Sequence, residues 1–121
     1  MAARVQNGGL SHIVAGLVAA SVAKYLQWGT GSAAAATANA VAAAAAEARV
    51  AGSMSAITTT VANDTLQVTG TITCAGAGKT ISEVGVMDAS TAGNMIFYFD
   101  FTGVPLIVGD SIAFTTQIKF A

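Results

Sequence analysis

The stretch Leu66-Gln67-Val68-Thr69-Gly70-Thr71-Ile72-Thr73-Cys74 alternates apolar or small residues with polar ones without a break. Successive side chains of an extended chain point to opposite faces, so Leu66, Val68, Gly70, Ile72 and Cys74 share one face. Gln67, Thr69, Thr71 and Thr73 share the other. A period of two residues over this length reads as a half-buried strand with a threonine ladder turned outward. On the apolar face, Cys74 is expected as a small buried hydrophobe, not a nucleophile.

The same period continues on both sides of this stretch. Ile112, Phe114, Thr116, Ile118 and Phe120 alternate with Ser111, Ala113, Thr115, Gln117 and Lys119. Upstream, Ile57, Thr59 and Val61 share a face ahead of a turn at Asn63-Asp64. Thr80 to Met87 reads as another strand, with Glu83 breaking the alternation and suggesting a bulge beside Gly85. Met95, Phe97, Phe99 and Phe101 lie on one face of the next strand and Ile96 and Tyr98 on the other. Both faces call for cover, which predicts a central position in its sheet. Val104-Pro105-Leu106 reads as a loop or edge segment, because proline lacks the N–H a central ladder needs. Several short strands separated by turns predict a mainly β chain, an antiparallel β-sandwich of jelly-roll-like kind. Its expected core is Leu66, Val68, Ile72, Phe97, Phe99, Ile112, Phe114 and Ile118.

Ahead of the sandwich the pattern changes. Leu10, Ile13, Val14, Leu17, Val18 and Val22 recur at helical spacing and predict an amphipathic helix over 10–23, capped by Asn7 or Ser11. Its other face, Ser11, Ala15, Ala19 and Ala23, is small rather than charged. Tyr25-Leu26-Gln27-Trp28 reads as a short strand running into the turn Gly29-Thr30-Gly31. The alanine-rich tract 32–48 follows, for which alanine's propensity suggests a helical turn near 40–48 lying over another surface. Residues 1–50 thus form a helix, a strand and an extension, and residues 51–121 the sandwich, together one domain.

Composition narrows the function. Charged residues are 9% of the 121, against roughly 25% in an ordinary soluble domain. A surface so poor in charge is expected to be covered by partners. A net charge of -1 offers no grip on nucleic acid. One histidine and one cysteine exclude a four-ligand zinc site of Cys and His and any disulfide within the chain. Arg4 and the apolar run from Ile13 to Val22 imitate a secretory leader, but the run is short of the ~20 residues a membrane span needs. It reads as a docking helix, with neither export nor membrane anchoring expected.

Motif by motif, chemistry is not supported. Gly76-Ala77-Gly78-Lys79-Thr80 matches the tail of a phosphate-binding loop, but Thr73 stands where the first glycine belongs and a strand follows instead of a helix. A hairpin turn is the expected role. Asp64, Asp88 and Asp110 fall at turns, where an aspartate bonds nearby backbone. His12 has no companion histidine or carboxylate in sequence and reads as a surface or interface residue. No enzyme, metal site or cofactor is expected.

Several short motifs occur in a specific order: Gly9-Leu10, Trp28-Gly29-Thr30-Gly31, Glu47-Ala48-Arg49, Asp64-Thr65-Leu66-Gln67-Val68-Thr69-Gly70-Thr71, Ile81-Ser82-Glu83-Val84-Gly85 and Gly109-Asp110-Ser111-Ile112. In that order, over about 9–118, the chain resembles small structural proteins of tailed-bacteriophage virions, which occur as capsid decoration (cement) proteins and as modules of tail fibres or collars. The resemblance implies a virion subunit without catalytic residues. As a cement protein, usually a trimer, it would sit on the outer capsid surface and bridge major capsid subunits. Its candidate contact residues are Leu10, Ile13, Val14, Leu17, Val18 and Trp28. The alternative it implies is a tail fibre, collar or adaptor subunit.

Overall fold

In the computed structural model, which describes residues 2–120, the alternating stretches form two antiparallel sheets preceded by one helix. Helix α1 spans Asn7–Ala20; the strands are β1 (Tyr25–Gly29), β2 (Val50–Ala51), β3 (Ser53–Ile57), β4 (Thr65–Thr73), β5 (Lys79–Met87), β6 (Met95–Leu106) and β7 (Ser111–Lys119). One sheet has four strands in the order β2-β1-β5-β6, the other three in the order β3-β4-β7. This is the antiparallel sandwich that the period-two pattern predicts.

The apolar faces meet between the sheets. Leu26, Trp28, Leu66, Val68, Ile72, Ile81, Val84 and Val86 are buried, with Cys74 beside them as expected. Of the predicted core, Leu66, Val68, Ile72 and Phe114 are buried; Phe97, Phe99, Ile112 and Ile118 are half-buried and pack against the cluster. Gly70 lets the two layers approach, since a Cβ there would stand 2.6 Å from Leu26 Cδ1. Trp28 meets Phe114 edge-on with ring centroids 6.4 Å apart, tying the two sheets together.

Three expectations are corrected. β6 lies at the edge of its sheet, not at its centre. At that edge Phe101 and Val104 stay exposed at 36% and 40%. The segment 40–48 is not helical; it is an irregular loop that touches β1 through a single bridge, Gly29 to Ala44. With almost no large side chains to pack, this tract takes its shape from carboxylates that bind its N–H groups, as described below. Gly76-Ala77-Gly78 is not a hairpin turn, because β4 and β5 belong to different sheets and the turn carries the chain from one layer to the other.

The helix begins earlier than its stripe suggests, and neither Asn7 nor Ser11 caps it: the N-cap is Gln6, without a side-chain bond, and Ser11 Oγ donates back to Gly8 O at 3.2 Å. At its end Ser21 takes the left-handed conformation with φ 53°. The helix packs on β3 and β4. The bulge expected beside Gly85 is not at that residue, which pairs with Tyr98 in regular register; the ladder to β6 shifts instead between Ile81 and Glu83 and between Val86 and Met87.

Candidate interaction surfaces

The six residues proposed as contacts separate into three groups. Leu10, Val14 and Trp28 are 4%, 0% and 1% exposed and serve the chain's own core. Leu17 and Val18 are half-buried against that core. Ile13 alone of the stripe faces outward, at 37% exposure, next to a small, exposed helix face of Ala15, Gly16 and Ala19. Trp28 is therefore not an outward anchor: its ring packs on Phe114 and its Nε1–H donates to Glu47 Oε2 at 3.0 Å.

The apolar surface that does face outward lies at the far side of the sandwich. Phe101, Val104, Ile107 and Val108 are exposed along β6 and the turn after it. Between β6 and the free edge of β7 runs a groove of about 520 Å³, walled by Phe99, Phe101, Val104, Ile112 and Phe114, with Val84 at its base. No reading of single strands located it, because it exists only where two sheets of unequal width face each other.

The polar side chains are engaged in holding loops. Glu83 is fully buried, and its two oxygens accept four hydrogen bonds. Gly31 N and Ala43 N donate to Oε2, each at 2.8 Å; Ala42 N donates to Oε1 at 2.8 Å and Tyr98 Oη at 2.9 Å. Burial works to raise the Glu83 pKa, but the donors from Ala43, Ala42, Tyr98 and Gly31 prevail and hold it below the usual carboxylate value. The neighbouring phenol of Tyr98 is shifted up, by burial first and by its bond to Glu83. This carboxylate organises both ends of the alanine-rich loop. Its sequence signal is the polar residue that interrupts an apolar strand.

Glu47, at the end of the tract, ties it to the rest of the fold. It accepts from Trp28 Nε1 and from Ala75 N at 2.9 Å, and forms an ion pair with Lys79. Burial opposes ionisation here too, yet the bonds from Ala75, Lys79 and Trp28 lower its pKa from 4.5 to about 2. Lys79, the lysine of the phosphate-loop lookalike, also donates to Ala75 O at 3.0 Å and so serves this corner of the fold.

The turn aspartates behave as their positions predict. Asp64 is fully buried and gathers the N–H groups of Thr59, Thr60 and Val61 at 3.0, 3.2 and 2.9 Å; the Val61 bond contributes most to its lowered pKa. Asp88 accepts from Asn94 N at 2.7 Å and from its side chain at 3.2 Å, and these bonds lower its pKa. Asp110 accepts from Ile107 N at 3.0 Å. Among the described residues no three His, Cys, Asp or Glu side chains group to hold a metal ion, and no buried side-chain polar atom lacks a partner. His12 is exposed. No helix is long and apolar enough to cross a membrane.

Fold and surfaces together define a structural β-sandwich module: its buried polar groups bind its own loops, and what it offers outward is strand edge and apolar surface. The family model described as podophage GP4 fiber I protein gp80 matches residues 1–118, and the chain belongs to that family. It is a structural protein of the phage virion, as the order of its short motifs suggested. No curated protein and no solved structure matches the chain.

Proposed function

We propose that the chain is a non-enzymatic fibre subunit of a podophage virion, working through contacts with copies of itself and with neighbouring virion proteins. The observation that carries this reading is the match to the fibre family over residues 1–118. The surface chemistry supports it. A module with 9% charged residues gains from covering its apolar edges, at roughly 25 cal/mol for each Å² removed from water, and symmetric assembly multiplies that gain.

A second reading, a capsid decoration protein bridging major capsid subunits on the outer shell, is favoured by one feature. The exposed face of α1 places Ile13 beside Ala15, Gly16 and Ala19, small residues that allow close approach to a flat partner. Immunogold labelling of intact virions distinguishes the two. A fibre subunit gives gold at discrete appendages; a decoration protein gives gold evenly over the shell, which would overturn the first reading.

A further inference from the structure

Each sheet has two edges, and three of the four are protected against further pairing. β2 is 2 residues long; β3 is 5 residues long with α1 packed on it. β6 carries the exposed charge of Asp100 and the proline Pro105, and its ladder to β5 is broken by register shifts. Short strands, charges, prolines and bulges are the devices by which sheet edges avoid unwanted partners. Of these devices β7 has only a charge at one end. It is 9 residues long without proline or glycine, its pairing with β4 runs unbroken from Lys119 to Ser111, and its one charge is that terminal lysine.

Beside this open edge lies the apolar groove, roofed by β6. The groove is lined from both β6 and β7, and it runs along the side of β7 on which a further strand could pair. Phe101 and Phe114, with centroids 6.3 Å apart, form its inner wall. An occupant must therefore be extended, to pair with β7, and slender enough for a groove of about 520 Å³.

The chain itself has a segment of this description. Ala2–Gln6 is exposed and lies in neither helix nor strand, Gln6 is extended with φ -75° and ψ 159°, Val5 is 49% exposed, and no backbone hydrogen bond joins Ala2–Val5 to the other described residues. As a strand it would turn Ala3 and Val5 to one side and Arg4 and Gln6 to the other, which suits a groove with an uncharged lining and an outer face in water. The turn at Ile107 is exposed too, but it is closed on itself by Asp110 N to Ile107 O at 3.0 Å and cannot supply an extended backbone.

We infer that the arm Ala2–Gln6 of a second copy adds to the free edge of β7 and seats Val5 in the groove beneath β6. This is strand addition, in which main-chain bonds give affinity and alternate side chains give fit. Donor arm and acceptor slot are different surfaces, so the contact is head-to-tail. The inference rests on the reading of the chain as a self-associating subunit, and it holds for either virion location.

The test uses the purified full chain in sedimentation velocity. The parent is expected to assemble, while Val5→Asp and Val104→Asp each weaken assembly about tenfold or more with unchanged circular dichroism, both positions being exposed in the single copy. An equimolar mixture of the two variants retains one good arm and one good slot and is expected to stop at a heterodimer. Paired cysteines on the outer face of the added strand pair, Arg4→Cys with Thr115→Cys, are expected to cross-link between chains. Should Val104→Asp lose its β spectrum, the cysteine pair alone decides. A parent that stays monomeric, variants that assemble as the parent does, a cross-link confined within one chain, or no cross-link would each overturn the inference, and none of these outcomes bears on where the gold particles lie.

Discussion

Replacing Glu83 by Gln keeps the size of the side chain and removes its charge. Both carboxylate oxygens accept two bonds each: Oε2 from Gly31 N and Ala43 N, Oε1 from Ala42 N and Tyr98 Oη. Glutamine supplies one acceptor oxygen and one NH2 group. With the NH2 turned toward Tyr98, the phenol can rotate and accept from it, and only the Ala42 N–H is left facing a donor; turned the other way, two backbone donors lose their acceptor. Hydrogen bonds to a charged acceptor contribute about 1.5–3 kcal/mol each, so losing at least one costs roughly 1.5–3 kcal/mol. That is a sizeable share of the ~5–15 kcal/mol that stabilises a domain. For a chain of this size the cost corresponds to a fall in Tm on the order of 5–12 °C. The assay is calorimetry combined with hydrogen exchange, read at the amides of Gly31, Ala42 and Ala43. Those amides should exchange faster than the β4 amides even where the protein remains folded. A Tm within about 2 °C of the parent, with these amides still protected, would refute the idea that one carboxylate holds the loop.

Other outcomes follow from the same packing. Phe114→Ala should cost about 3–5 kcal/mol, because it empties the contact between Trp28 and the groove wall; an unchanged melting temperature would contradict the core assignment. Gly29→Ala should destabilise by more than about 1 kcal/mol, since its Cβ would lie 2.5 Å from both Ala43 O and Glu83 Oε2; chemical denaturation measures this. Ile13→Asp, on the exposed face of α1, should change stability by less than about 0.5 kcal/mol, and a loss of capsid attachment by this folded variant would support the decoration reading. Acid should unfold the protein in a defined window. Glu47 has a folded pKa of about 2 against 4.5 ordinarily, so its contribution is complete above pH 4.5 and is lost as the pH falls toward 2. Glu83, Asp64 and Asp88, also depressed, add to the loss in the same direction, and a Tm constant from pH 6 to 2 would contradict all four assignments.

What sequence reading recovered was whatever a local period encodes. The Leu66–Cys74 alternation placed β4 and its buried face, and the Ser111–Phe120 alternation placed β7, because the pleat sorts side chains whatever the strand's neighbours. Sheet order is not encoded in that way. The aromatic run of β6 asks for cover on both faces, and the fold meets that demand only in part by leaving the strand at an edge. The alanine tract was misread for a related reason. Alanine's helical propensity is a local preference, whereas the loop is set by Glu83, whose bonds to Ala42 and Gly31 span 41 and 52 residues. Trp28 resembled an exposed anchor because its partners, Glu47 and Phe114, lie 19 and 86 positions further along the chain. The helix stripe was legible as a stripe, but not the fact that Leu10 and Val14 would turn inward and leave Ile13 outside.

The central claim is that this chain is a structural part of the virion. Quantitative mass spectrometry of virions purified through a density gradient tests it most directly, scoring peptides of this chain against those of the major capsid protein. The account predicts that the chain co-purifies in a fixed ratio to the capsid protein from one preparation to the next. Its absence from infectious, gradient-purified virions, or an amount that varies with washing while infectivity does not, would contradict it.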